Sequence, residues 1–381
     1  MPPRQLLYHL AVTLALSLAT PVAWSEDGVS ANEIRIGMAN AQSGPASGLG
    51  SDMKTGVQAY FTRVNATGGV HGRTLSLIVK DDGYEPTRSA ARTEDLINRD
   101  NVFALLGYVG TPTSRAALPI AMRAEVPYLF PFSGAEFLRT PVKKWVFNLR
   151  ASYLDETETL VEHLNTDLGV TKIALLMQDD SFGESVKSGV SGALSKRNLG
   201  IHAEARINRN SLDMVDAVAA LKHAQPEAIV FVGTYRQLSA AIKAAQTAGI
   251  RARFVTVSFI GTEDFIAAAG PSGDGVYITQ VMPSPHDTSL AIVRQYLSDV
   301  PPADVGYTSL EGYINANVFV QALQAAGVEP TRSKLANALK DLNTDIAGFP
   351  VHFSPGHHQG SSAVFLTRIQ AGKALPVGRM Q

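Results

Sequence analysis

The sequence predicts an α/β protein of two doubly wound, parallel-sheet lobes with a ligand cleft between them. Three observations carry this. Apolar strand-like runs alternate with segments of helical period, and the alternation is gone through twice. No low-complexity linker separates the two arrays, so the lobes share a close interface. At 381 residues the chain is about two domains long and ample for large cores. Right-handed crossovers put helices on both faces of each sheet and the cleft at the strands' carboxyl ends.

The first array opens with Ile34, Ile36 and Met38 alternating as a strand. The loop Gln42-Ser43-Gly44-Pro45-Ala46-Ser47-Gly48-Leu49-Gly50 follows. Met53, Val57, Tyr60, Phe61 and Val64 then mark one face of a helix that Gly68-Gly69 ends. Residues 75–80 read as the second strand and 86–98 as the second helix. Residues 102–106 form a third strand, which breaks through Gly107 and Gly110 into a helix with Thr111 as N-cap and Pro112 at its first position. Such a turn aims backbone N–H groups and the positive helix end at one spot, which suits a small carboxylate. Residues 126–132 make a fourth strand, ending in Ser133-Gly134.

The second array starts with a helix bearing Leu160, Val161, Leu164 and Leu168. Strands over 173–177, 202–207, 228–232, 254–257 and 276–281 alternate with helices over 182–197, 214–223, 238–248 and near Asp264. After Pro283 the pattern turns helical over 290–297, 307–326 and 333–342, with a last extended piece at 363–369.

The N-terminus has the features of a secretory signal peptide. Arg4 is the only charge before Glu26, residues 10–18 form a short apolar run, and Ala23-Trp24-Ser25 offers a cleavage site after Ser25. No later stretch reaches the roughly 20 apolar residues of a membrane span. The chain has no cysteine, which excludes disulfides, thiolate metal sites and a lipoprotein anchor. A net charge of −1 gives no general attraction to nucleic acid.

Enzyme signatures fail. Gly48-Leu49-Gly50-Ser51-Asp52-Met53 lacks the last glycine of a dinucleotide fingerprint, and Lys54-Thr55 lacks the glycine of a phosphate loop. Gly189-Val190-Ser191-Gly192-Ala193 misses a hydrolase elbow. Asp81-Asp82 and Asp179-Asp180 fit turn and helix caps. His352, His357 and His358 show no ligand spacing and read as a surface loop. No catalytic residue, metal ligand or cofactor is expected. Tyr108, Phe132, Phe182, Tyr235 and Phe259 stand at or just after strand ends, as core residues or as cleft walls for an organic solute.

The order and spacing of several short motifs resemble the periplasmic leucine/isoleucine/valine-binding protein family of ABC importers. They are Ile36-Gly37, Ser43-Gly44-Pro45, the run Val64-Asn65-Ala66-Thr67-Gly68-Gly69-Val70-His71-Gly72-Arg73, Asp81-Asp82, Gly107-Tyr108, Thr111, Pro131-Phe132-Ser133-Gly134, Asp180-Ser181-Phe182-Gly183 and Gly233-Thr234-Tyr235. The resemblance implies the type I periplasmic binding fold, whose two lobes, joined by three crossings, close on a solute about a hinge. By similarity, residues 33–149 and 281–347 form the N-terminal lobe, and 150–280 with 348–381 the C-terminal lobe. It implies a ligand site of Leu49, Tyr108, Gly110, Thr111, Phe132, Ser133, Gly134, Phe182, Tyr235 and Ser258. Within it the Gly110-Thr111 and Phe132-Ser133-Gly134 loops take a carboxylate.

Two departures from the family stand out. Ser258 occupies the place of the acid that meets an α-ammonium group, and Leu49 that of the usual aromatic. An enclosed ammonium group without a partner would cost several kcal/mol, more than a hundredfold in affinity. Asp180, Glu263 or Glu311 would have to supply the missing acid. The implied partners are a small amino acid or related carboxylate-bearing solute and an inner-membrane ABC permease, with the receptor a periplasmic monomer. A sensor of the same fold, coupled to a signalling protein, is the alternative.

Overall fold

The computed structural model describes residues 26–381. The expected signal peptide and its cut near Ser25 lie outside the described residues. The first sheet draws on β1 (Glu33–Asn40), α1 (Ser47–Ala66), β2 (Thr74–Asp81), α2 (Pro86–Asn98), β3 (Ala104–Leu106), α3 (Thr111–Arg123), β4 (Tyr128–Leu129) and β5 (Val146–Phe147). The chain then crosses to α4 (Tyr153–Thr166), β6 (Ile173–Gln178), α5 (Ser181–Ser195), β7 (Ala203–Ile207), α6 (Val215–Ala224), β8 (Ala228–Val232), α7 (Tyr235–Thr247), β9 (Arg253–Thr256), α8 (Thr262–Ala269) and β10 (Tyr277–Gln280). It ends with α9 (Ala291–Asp299), α10 (Tyr307–Ala325), α11 (Arg332–Lys340), β11 (Asn343–Asp345), β12 (Pro350–His352), β13 (Phe365–Gln370) and β14 (Lys373–Pro376).

The first sheet is wholly parallel, in the order β2-β1-β3-β4-β5. The second repeats that order as β7-β6-β8-β9-β10 and adds β13 and β14 antiparallel at its edge. Each order reverses beside its first strand, between β1 and β3 and between β6 and β8. Loops leaving the carboxyl ends part there and open a crevice. The central strands β3, β6 and β8 are buried on both faces, which is why they read as continuous apolar runs.

α10 returns from the second sheet and packs along α1. Gly56 and Gly312 let the backbones touch: a Cβ on Gly56 would stand 1.9 Å from the Ser309 carbonyl oxygen, and one on Gly312 2.5 Å from that of Met53. Buried nearly all round, α10 has little amphipathic contrast.

The structure changes four expectations. The fourth strand shrinks from 126–132 to Tyr128–Leu129, because Phe130 takes φ +50° and Pro131 has no N–H to pair. Thr111 is not the cap of α3. Gly110 holds that position at φ +108°, and Thr111 is the first helical residue. The third crossing falls later than 347/348. β12 pairs with β11, and residues 358–360 bond to Asn148 beside β5, so the chain stays with the first sheet to about residue 360. Within that segment His358 is not on the surface: it stacks on Phe147 at 4.1 Å and is 4% exposed.

Candidate functional site between the lobes

The ladder between β3 and β4 continues beyond both strands. The Phe132 N–H donates to the Tyr108 carbonyl at 2.7 Å, and the Gly110 N–H to the Phe132 carbonyl at 3.2 Å. This zipping brings Thr111 and Ser133 side by side, their hydroxyls 2.8 Å apart and both fully buried. Gly110 is required where it stands, since a Cβ there would lie 2.4 Å from the Tyr84 ring. Gly134 is hemmed in as tightly, because a Cβ would meet the Tyr153 ring at 2.5 Å.

Tyr108 does not belong to this site. Its ring packs on Tyr128 at 4.9 Å and its hydroxyl meets Thr93 at 3.0 Å, within the core between the first sheet and α2–α3. Gly107, at φ +70°, turns the chain so that Tyr108 offers the cleft no side chain.

Phe132 does face the second lobe. Its ring lies 5.4 Å from Phe259, which also contacts Phe182 at 4.5 Å and Tyr84 at 6.0 Å. Phe182 reaches Tyr153 at 5.4 Å. Asp180 caps α5 by accepting the Phe182 N–H at 2.8 Å, and so fixes where that ring points. Tyr235 opens α7 behind the Thr234–Gln237 capping box, and its hydroxyl accepts the Gly48 N–H across the cleft at 3.3 Å. Leu49 meets the second lobe at Gly261, where a Cβ would approach it to 2.5 Å. Gln178 donates to the Tyr84 hydroxyl at 3.3 Å, and Arg209 pairs with Glu85 at 3.0 Å. The lobes are thus in contact on both sides of the aromatic cluster.

Ser258 is committed to protein partners. Its N–H and hydroxyl donate to the Glu156 carboxylate at 2.7 and 3.0 Å, and its oxygen accepts from Arg150 Nη2. Thr279 adds a third donor to Glu156 at 2.6 Å. Burial pushes the Glu156 carboxyl up, against the pull of Arg150 and these hydrogen bonds. The Arg150 side chain is fully buried, its guanidinium carbon 4.2 Å above the Phe132 ring and its Nε 3.6 Å from a Glu311 oxygen. Burial raises Glu311 to about 7, with Arg150 opposing. Two Arg150 nitrogens, Nε and Nη1, make no hydrogen bond, and neither does the Tyr153 hydroxyl. The surplus at this end of the cleft is therefore of donors.

None of the three acids named above to supply the one missing at Ser258 is free there. Asp180 serves the Phe182 N–H, Gln178 and Arg209. Glu263 accepts the Tyr307 N–H at 3.1 Å, and Glu311 faces Arg150. Sequence reasoning missed Tyr84, Arg150, Tyr153 and Glu156. Tyr84 had a signal, since it follows Asp81-Asp82-Gly83 just past β2. Asp81 there accepts bonds from Gln42, Ser43 and Gly83, which outweigh its burial and hold it at about 2.

A cavity of about 440 Å³ opens between α3 and α5, lined by Arg115, Phe137, Tyr153, Ser181 and Glu184 among others. Tyr153 joins it to the aromatic cluster. Among the described residues no group of three or more His, Asp or Glu side chains is placed to hold a metal, and no helix is long and apolar enough to cross a membrane.

A family model described as periplasmic binding protein matches residues 33–374. The leucine-, isoleucine-, valine-, threonine-, and alanine-binding protein of Pseudomonas aeruginosa is 23% identical over 314 residues, 82% of this chain and 83% of that protein. The structure of a possible leucine/isoleucine/valine-binding protein from Rhodopirellula baltica matches with a TM-score of 0.86 at 34% identity, covering 94% of this chain and 98% of that one. A fatty acid ABC transporter substrate-binding protein from Thermomonospora curvata matches with a TM-score of 0.84 at 23% identity, over 93% of each chain.

Proposed function

Because the chain belongs to the periplasmic binding protein family, of the Leu/Ile/Val-binding type, we propose that it is the solute receptor of an ABC importer and closes on a small carboxylate-bearing solute. The observation that carries this is the buried Thr111–Ser133 hydroxyl pair at the carboxyl ends of β3 and β4. It lies at the N-terminus of α3, where unpaired N–H groups and the helix dipole favour an anion. Phe132, Phe182 and Phe259 supply an apolar wall for the rest of the solute. A carboxylate is common to the amino acids named for the Pseudomonas relative and the fatty acid named for the Thermomonospora structure.

The energetics suffice. Micromolar affinity needs about 8 kcal/mol. Three hydrogen bonds to a carboxylate at roughly 1.5–3 kcal/mol each, with burial of an apolar tail, reach it. Lobe closure and ordering take back part. The receptor works in the periplasm as a monomer, after removal of residues 1–25, and delivers its solute to an inner-membrane permease. It performs no chemistry on the solute.

Thermal shift and titration calorimetry on the purified chain, across amino acids and simple organic acids, test the reading. Binding by at least one carboxylate, lost when its carboxyl group is amidated, is expected. No response across the panel would refute it. Thr111→Ala and Ser133→Ala are each expected to lower affinity by about 1–3 kcal/mol while leaving the melting temperature of the free protein little changed. Unchanged affinity in both would remove the pair from the site.

A further inference from the structure

We propose that Arg150 is the specificity-determining residue of the cleft, selecting carboxylic acids that present an oxygen, and no α-ammonium group, to the second lobe: 2-oxo or 2-hydroxy acids in place of α-amino acids. This deepens the carboxylate-receptor reading and rests on it.

The argument starts from an incompletely satisfied cation. A guanidinium carries five N–H donors in a rigid planar fork and is never deprotonated. Arg150 is 1% exposed, yet only Nη2 makes a hydrogen bond, to Ser258. Nε stands 3.6 Å from Glu311, outside hydrogen-bond range, and Nη1 has no partner. Buried charged donors are costly when unpaired, so an acceptor offered to them is favoured. The guanidinium carbon stands 4.2 Å over the ring of Phe132, the residue next to Ser133 in the chain. A solute whose carboxylate rests on Thr111 and Ser133 therefore has its next atoms at Phe132, within reach of the free guanidinium edge.

An ammonium group at that point meets the opposite conditions. It needs acceptors, and the carboxylates nearby are engaged. Glu156 accepts three bonds, from the Ser258 N–H, the Ser258 hydroxyl and Thr279. Glu311 lies 3.6 Å from Arg150 Nε without a hydrogen bond, and its charge is matched by the guanidinium rather than left for an ammonium group. The ammonium would also stand against the fixed positive charge of Arg150 itself. A carbonyl or hydroxyl oxygen there accepts from Nη1 or Nε and from the unpaired Tyr153 hydroxyl.

Calorimetry on the full chain with matched solutes decides the matter. The set is leucine, 4-methyl-2-oxopentanoate and 4-methylpentanoate, with phenylalanine, phenylpyruvate and 3-phenylpropanoate as an aryl set. The oxo acid is expected to bind at least about tenfold more tightly than its amino acid, and more tightly than the des-amino acid, which lacks the oxygen. Tightest binding by an amino acid overturns this proposal and leaves the carboxylate-receptor reading standing. Silence from every carboxylate overturns both. The double change Arg150→Met with Glu311→Gln removes the cation and its counter-charge together. It is expected to cut the oxo-to-amino preference about tenfold, an effect that loss of packing alone would not produce. An unchanged preference in a folded double variant overturns the proposal. Ser258→Glu sets a carboxylate against Arg150 without removing it and is expected to shift preference the same way. Failure of that shift also overturns it.

Discussion

Gly110 shows what a single residue does for the site. Its φ of +108° turns the chain directly into α3, with the Tyr84 ring packed where a side chain would begin. Gly110→Ala is expected to destabilise the protein by about 1–3 kcal/mol, read as a lower urea midpoint with an unchanged slope. An unaltered midpoint would mean the turn has another conformation open to it. At this scale the sequence was legible where a residue's role is local. Gly110, Thr111 and Ser133 lie in turns whose chemistry shows in their own neighbours. Tyr108 misled, because its place beside a glycine hides which face of the sheet it takes. Arg150, Glu156 and Ser258 were illegible as a group. Glu156 meets Ser258 from 102 residues away, and no local pattern encodes that pairing.

Among the connecting segments, one side chain ties the crossings together. Arg139 is buried and donates to the carbonyls of Ser133, Ala135, Arg150 and Ala151, and to Gln359 on the third crossing. It joins the loop after β4 to the segment that leads into α4, so the positions of the loop and of this crossing are set by the same group. Arg139→Met would leave several buried carbonyls without donors, and a loss of about 3–5 kcal/mol in urea denaturation is expected. Solute affinity is expected to fall as well, because Ser133 loses its support. Retained stability would show that water replaces the guanidinium. Long strands and helices such as β1, β6, α5 and α10 were readable from period and punctuation. The two- and three-residue strands β5, β11 and β12 were not, and β4 was read too long, since each is held by its neighbour's ladder and its own residues carry too little pattern. The third crossing, set at 347/348 by similarity, falls later because β12 and the stacked His358 keep the chain with the first sheet to about residue 360.

For the molecule as a whole, two lobes and a cleft followed from an alternation repeated without a linker, but what the lobes press together did not. Closure brings Asp52 on α1 against Glu263 and Asp264 on α8, with Asp304 nearby before α10. Asp264 crowds the position beside Gly48, and Glu263 accepts the Tyr307 N–H at 3.1 Å. Arg236 is the cation facing Asp264, and Tyr296 lies close to both Glu263 and Asp52. Burial first, and then these like charges, raise Asp52 to about 8, and burial raises Glu263 to about 7. Opening the lobes returns the acids toward water and their ordinary range near 4. The sign follows from linkage. The closed form binds more protons than the open one, so protonation favours closure, and that contribution is lost as pH rises through about 7 to 8. Solute affinity is therefore expected to be up to about tenfold higher near pH 6 than near pH 8.5, with proton uptake on binding visible as a buffer-dependent heat in calorimetry. The Glu311 carboxyl, raised to about 7, acts in the same direction, because its protonation frees Arg150 for an anion. Asp52→Asn separates the two effects. It touches neither Arg150 nor the Thr111–Ser133 pair, and it is expected to flatten most of the pH dependence while preserving affinity at the lower pH. A pH profile unchanged by Asp52→Asn would remove Asp52 from the control of closure and assign the effect to Glu263 or Glu311, which Glu311→Gln then separates.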